Sequence, residues 1–185
     1  MRALLAIVLL ATACTPVSSF RPASGIMDGY TGEVGIGGSL VGPRPFVEED
    51  TQAQGQLWMA KRVAKDLTLT GIGAVETSAF AVGGSARIDV LRTRRLVLAP
   101  DIQAGIAFAA LDAGAALRVW DEMWLYTAPR IGNRGTTWAV DVPAGISARL
   151  YEGFMLRAEY RLSWSGELSY FQQRPIFGVA LARQF

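Results

Sequence analysis

The chain has 185 residues, 51% of them apolar and 18% charged, with 20 glycines, one cysteine, no histidine and a formal net charge of +2. The apolar content excludes intrinsic disorder, and the missing histidine excludes Ser-His-Asp and Cys-His catalysis, histidine-ligated zinc and the usual charge switch near neutral pH. A single cysteine allows no intramolecular disulfide, so small a charge gives no footprint for nucleic acid, and no motif calls for a cofactor or a metal. No run of about 18 apolar residues occurs, so a bilayer could be crossed by strands but not by a helix.

Met1 and Arg2 precede an apolar stretch from Ala3 to Ala11, and the small residues Thr12 and Ala13 lead to Cys14. This order predicts an export signal over residues 1–13. The string Leu10-Ala11-Thr12-Ala13-Cys14 resembles a bacterial lipobox, which implies acylation of Cys14; an ordinary signal peptide cleaved near Ala13 is the other reading. Residues 14–29 carry proline, serine and glycine without periodicity and read as a flexible tether.

From residue 30 to 185 the pattern alternates with period two. Trp138, Val140, Val142, Ala144, Ile146, Ala148 and Leu150 share one face, against Asp141, Gly145, Ser147 and Arg149 on the other. Phe154, Leu156, Ala158, Tyr160, Leu162 and Trp164 repeat the scheme against Arg157, Glu159, Arg161 and Ser163. The same reading places strands near 30–41, 55–65, 67–77, 83–92, 95–109, 113–120, 123–131, 136–150, 153–165 and 170–185. Ten strands are therefore expected, with eight left open because Leu67 and Leu69 fall out of phase with Ile72 and because Pro129 interrupts 123–131.

Connections at 65–66, 92–94, 120–122 and 151–153 are short, while 42–54 is long and carries the acidic run Glu48-Glu49-Asp50, which could bind a bridging cation or simply lie in solvent. Short turns at one end and longer loops at the other are expected of an outer-membrane barrel. The glycines between Gly32 and Gly38 lack the spacing of a phosphate loop and read as places where a strand bends.

These features predict an all-β, closed, antiparallel up-and-down transmembrane β-barrel, because only closure leaves no unpaired backbone edge in lipid. Two aromatic girdles are expected, with Trp120, Trp124, Tyr151 and Phe154 at the short-turn end and Trp138, Trp164, Tyr170 and Phe171 at the other; Lys61 and Arg183 would snorkel from the lipid face. The polar face predicts a lumen network of Arg87, Asp89, Asp101, Arg118, Asp141, Arg149, Arg157, Glu159 and Arg161, in which arginines and carboxylates satisfy one another. Residues 148–162 and the ending 177–185 resemble the penultimate hairpin and the assembly signal of small outer-membrane barrels of the OmpA-like or opacity-porin type. That resemblance implies outer-membrane lipids and the barrel-assembly machinery as partners, with Phe185 as the assembly signal. The expected role is structural or surface-interacting and not enzymatic, with a narrow small-solute pore or a soluble lipocalin-like lipoprotein as alternatives.

Overall fold

A computed structural model describes residues 25–43, 51–76, 79–106, 108–134, 137–167 and 170–185. The signal segment, Cys14, the tether up to residue 24 and the acidic run at 48–50 lie outside the described residues.

Ten strands run through these residues: β1 Gly32–Val41, β2 Gln52–Ala64, β3 Leu67–Glu76, β4 Ala79–Ile88, β5 Leu96–Gly105, β6 Phe108–Trp120, β7 in two pieces, Met123–Thr127 and Arg130–Arg134, β8 Thr137–Tyr151, β9 Phe154–Glu167 and β10 Tyr170–Gln184. A two-residue piece, Leu91–Arg92, extends β4 along β5. Each strand pairs antiparallel with its neighbours in sequence, and β1 pairs with β10 from Glu33↔Gln184 to Val41↔Ile176. The sheet closes, so no strand edge is left to meet lipid.

Pro129 splits β7 because it has no N–H to give to a ladder. Both pieces nevertheless pair with β6 and β8, and the gap is bridged where Ala113 N–H donates to the Pro129 carbonyl at 2.9 Å. One strand is expected there and one is found, extended to Arg134 beyond the expected end at 131. The expected break between 109 and 113 lies instead at 106–107, because Asp112 continues the inward phase of β6 and does not mark a turn. Likewise β4 starts at Ala79, where 83 was expected.

Connection lengths also differ from expectation. At the end away from the termini only the β1–β2 connection is long; the strand bounds leave two residues each between β3 and β4, β5 and β6, β7 and β8, and β9 and β10. Long loops over that rim are therefore confined to one connection.

The parity of every strand is that of a membrane barrel. Ile36, Leu57, Phe80 and Ile102 point outward and stay exposed, whereas Arg157, Asp141, Gln103 and Ser147 point inward and are fully buried. A soluble lipocalin-like barrel has the opposite arrangement, so that alternative is excluded. The phase conflict in β3 is resolved the same way: Leu69 faces out, and Ile72 faces in, packed on Ala81 and Phe108. Lys61 and Arg183 are exposed on the outer face as expected, with Arg183 stacked 5.5 Å from the centre of the Phe154 ring. Trp124, expected in the outer girdle, is instead buried inside with Val97, Ala99, Ala116 and Tyr126, because β7 turns Leu125 outward.

Ala144 lies outward in mid-β8 between the exposed Val142 and Ile146. A basic residue at such a depth costs about 2–4 kcal/mol and an acidic one somewhat less. Ala144→Asp is expected to lower the fraction of heat-modifiable folded protein on unboiled gels, while Ala144→Leu leaves it unchanged; equal damage from both would contradict the outward assignment.

Candidate functional site: a charged, packed lumen

The lumen is ordered by register. Arg62, Thr68, Arg87, Asp101, Asp112, Arg130, Asp141, Ser163 and Arg174 stand directly opposite one another in turn, from β2 round to β10. All except the half-buried Arg62 are buried. Like charges directly opposite are unfavourable, and Asp101 faces Asp112 across β5 and β6. That repulsion is relieved on both flanks, where Arg87 faces Asp101 and Arg130 faces Asp112. Arg130 Nε donates to Asp112 Oδ1 at 2.8 Å, and Gln103 Nε2 donates to Asp112 Oδ2 at 2.6 Å.

Arg130 also approaches Asp141 at 4.0 Å, and Arg161 reaches the same carboxylate at 3.9 Å. Arg161 lies 3.5 Å from Glu159, whose other oxygen accepts the Tyr126 hydroxyl at 3.1 Å. Tyr126 fits because Gly145 faces it across β7 and β8: a Cβ there would come within 2.3 Å of the ring.

A second cluster sits nearer the termini. Glu33 accepts from both terminal nitrogens of Arg157, at 2.9 and 2.5 Å, from Trp58 Nε1 at 2.8 Å and from Gln184 Nε2 at 2.7 Å. The two-pronged contact is the strong form of an arginine–carboxylate pair. Arg157 also lies 5.5 Å from the centre of the Trp58 ring. Gly35 makes room for that indole, since a Cβ would stand 2.1 Å from it.

The segment before β1 enters the lumen from the same end. Met27 N–H donates to Gln184 Oε1 at 3.0 Å, Gln184 Nε2 donates to the Gly25 carbonyl at 3.2 Å, and Arg62 donates to the Ile26 carbonyl. Ile26 is buried and Met27 packs on Trp58, Met155, Ala180 and Ala182. Residues 25–27, expected to belong to the tether, are instead docked on the barrel at this mouth.

Of the residues expected in the lumen, Arg87, Asp89, Asp101, Asp141, Arg157, Glu159 and Arg161 are there and buried; Arg87 and Arg92 both bind Asp89, at 2.9 and 2.6 Å. Arg118 and Arg149 share the inward face but lie at the rim, on Asp121 and Glu122 respectively. Glu33, Asp112, Arg130 and Arg174 were not anticipated. Parity carried through Pro129 and Pro175 would have found the two arginines. Phe185 ends the chain on the outer face, and its carbonyl and N–H bond to β1 at Gly32.

No protein-family model matches the chain, and no curated protein does. Among solved structures it is similar to the KdgM porin, at a TM-score of 0.50 and 10% identity over 82% of this chain and 99% of that one. It is similar also to the KdgM porin in complex with disordered oligogalacturonate, at 0.51 and 10% over 83% and 99%. A de novo designed transmembrane β-barrel aligns at 0.48 and 14% over 86% and 99%. At such identities the likeness is one of fold. The chain has the closed ten-stranded fold of the bacterial outer-membrane β-barrels, and its apolar belt suits it to that bilayer.

Two predictions follow from this geometry. Breaking a buried pair by removing one partner costs about 3–5 kcal/mol, whereas replacing both partners by apolar residues is often neutral. Glu33→Gln is expected to lower the unfolding free energy of the reconstituted barrel, read by urea titration, by that order, and Glu33→Met with Arg157→Met to recover much of the loss; a single variant as stable as the parent would contradict the pairing.

The second concerns the exposed rim. The hydrogen bond from Arg149, aided by the charges of Arg149 and Arg118, holds the Glu122 carboxyl below the usual glutamate range. A carboxyl lowered in the folded state adds stability at neutral pH, and that stability is lost as the pH falls through its lowered value. Glu122→Gln should therefore lower the urea midpoint slightly at neutral pH and match the parent in strong acid. A difference that persists unchanged in acid would assign the effect to something other than this carboxylate.

Proposed function

We propose that the chain is a structural protein of the bacterial outer membrane whose lumen is closed at rest and which catalyses no reaction. The observation that carries this reading is the burial of large side chains across the interior. Trp58, Arg157, Met155, Gln103, Asp141 and Ser147 are each less than 2% exposed, and residues 25–27 are docked at the mouth. A surface-interaction role would rest on the long β1–β2 connection, since the other connections at that rim span two residues each. The lipobox-like string supports a lipid anchor at Cys14, and the likeness of residues 177–185 to an assembly signal supports delivery by the barrel-assembly machinery.

A narrow pore is the second reading. It is favoured by the amide of Gln56, the carboxylate of Asp141 and the hydroxyl of Ser147, buried along the lumen without hydrogen-bond partners among the described residues. Buried polar groups of this kind are commonly met by water.

The test is recording from the purified protein in planar bilayers. The structural reading expects silence, whereas stepwise conductance would replace it with the pore. The intact mass of the same preparation reads the anchor: an acyl increment on a chain that begins at Cys14 is the expected outcome.

A further inference from the structure

We propose that a cleft at the periplasmic rim binds the phosphate of an anionic phospholipid in the inner leaflet. The cleft lies between the turn after the Leu91–Arg92 extension of β4 and the turn that joins β6 to β7. Both turns are at the end that holds residues 25–31 and Phe185, opposite the long β1–β2 connection, which is the periplasmic end of an outer-membrane barrel.

The cavity has a volume of about 710 Å³ and is lined by Arg94, Arg95, Arg118, Val119, Trp120, Asp121 and Glu122. A smaller cavity of about 230 Å³ shares Arg94, Arg118 and Asp121 with it and reaches Arg92 and Arg149.

The two acids that line the cleft are already engaged. Arg118 donates to the Asp121 carbonyl at 3.2 and 2.6 Å and lies 3.5 Å from its carboxylate, and Glu122 is bound by Arg149. Arg94 and Arg95 are exposed, and their side chains have no ion-pair or hydrogen-bond partner among the described residues. Two adjacent guanidinium groups thus face the cleft with their donors unused.

Their turn is held in shape. Thr93 Oγ1 accepts from Leu96 N–H at 2.9 Å and Arg95 N–H at 3.3 Å, and the Arg95 carbonyl accepts from Arg118 N–H at 2.7 Å. Guanidinium groups on a fixed turn suit the geometry of phosphate oxygens.

One aromatic side chain, Trp120, lines the cleft, and Tyr151 stands on the same rim outside it. Trp120, 69% exposed at the end of β6, and Tyr151, 68% exposed at the end of β8, are placed where aromatic residues sit at headgroup level. At this height, beside the headgroup-level Trp120, the phosphates within reach are those of lipids, and basic pockets at such positions bind anionic headgroups.

The inference rests on the membrane-spanning reading, which the heat-modifiable gel shift tests independently on the same sample. The experiment is native mass spectrometry of the detergent-solubilised barrel titrated with phosphatidylglycerol, with phosphatidylcholine of the same acyl chains and with glycerol phosphate as the soluble probe. Phosphatidylglycerol should be retained over phosphatidylcholine. Arg94→Gln combined with Arg95→Gln should weaken that retention about tenfold while the gel shift stays intact. Equal retention of both lipids, or retention undiminished in the double variant, overturns the site. Glycerol phosphate bound as tightly as the lipid overturns the lipid assignment in favour of a soluble phosphate.

Discussion

The backbone of a strand in lipid has no water to turn to, and every other property of this molecule follows from the closure that this imposes. Closure here depends on the seam between β1 and β10, where nine residues of each strand face one another and Phe185 adds its own N–H and carbonyl to Gly32 and Thr31. Once the ring is closed, the period of two leaves each side chain only two destinations, bilayer or lumen. A slip of one residue at any interface would send Arg87, Arg130 or Arg174 into lipid, so parity and register are fixed together.

The same closure makes the interior narrow, and a narrow interior admits charge only when it is paired. The row from Arg62 to Arg174 meets that condition across neighbouring strands: each of its acids has an arginine beside it on the next strand or one step along the same face. Large rings need a different accommodation. Trp58 and Tyr126 lie against Gly35 and Gly145, so glycine in these strands exchanges local propensity for space in the lumen. Polar pairs and flat rings together fill the volume that a wider barrel would leave to water.

The architecture was legible because alternation needs no partner to be visible: residues 138–150 and 154–164 display both faces in the sequence alone. Seven of the nine expected lumen residues are buried inside for that reason. What escaped depended on continuity and on depth. Asp112 and Arg130 were lost where an expected turn and a proline interrupted the count, although the ladder carries the same phase through both. Glu33 stood among glycines that were read for strand bending, and nothing local announces its partner Arg157, 124 positions away. Arg118 and Arg149 lie on the face that parity assigned, but parity says nothing about height along the barrel axis. The docking of residues 25–29 had no periodic signal at all, since it depends on single contacts with Gln184 and Arg62.

Depth is what divides the arginines into two populations. In the low-dielectric middle a guanidinium without a carboxylate would be costly, and Arg87, Arg130, Arg157 and Arg161 each stand next to an acid of the wall. At the rim water and headgroups relieve that requirement, so Arg94 and Arg95 can remain unpaired, and an ion pair such as Arg149 with Glu122 is screened and weakly stabilising. The rim therefore retains unpaired positive charge among the described residues, whereas the charges of the lumen are paired with one another. A barrel built this way keeps its paired charges in the interior and its unpaired ones at its end.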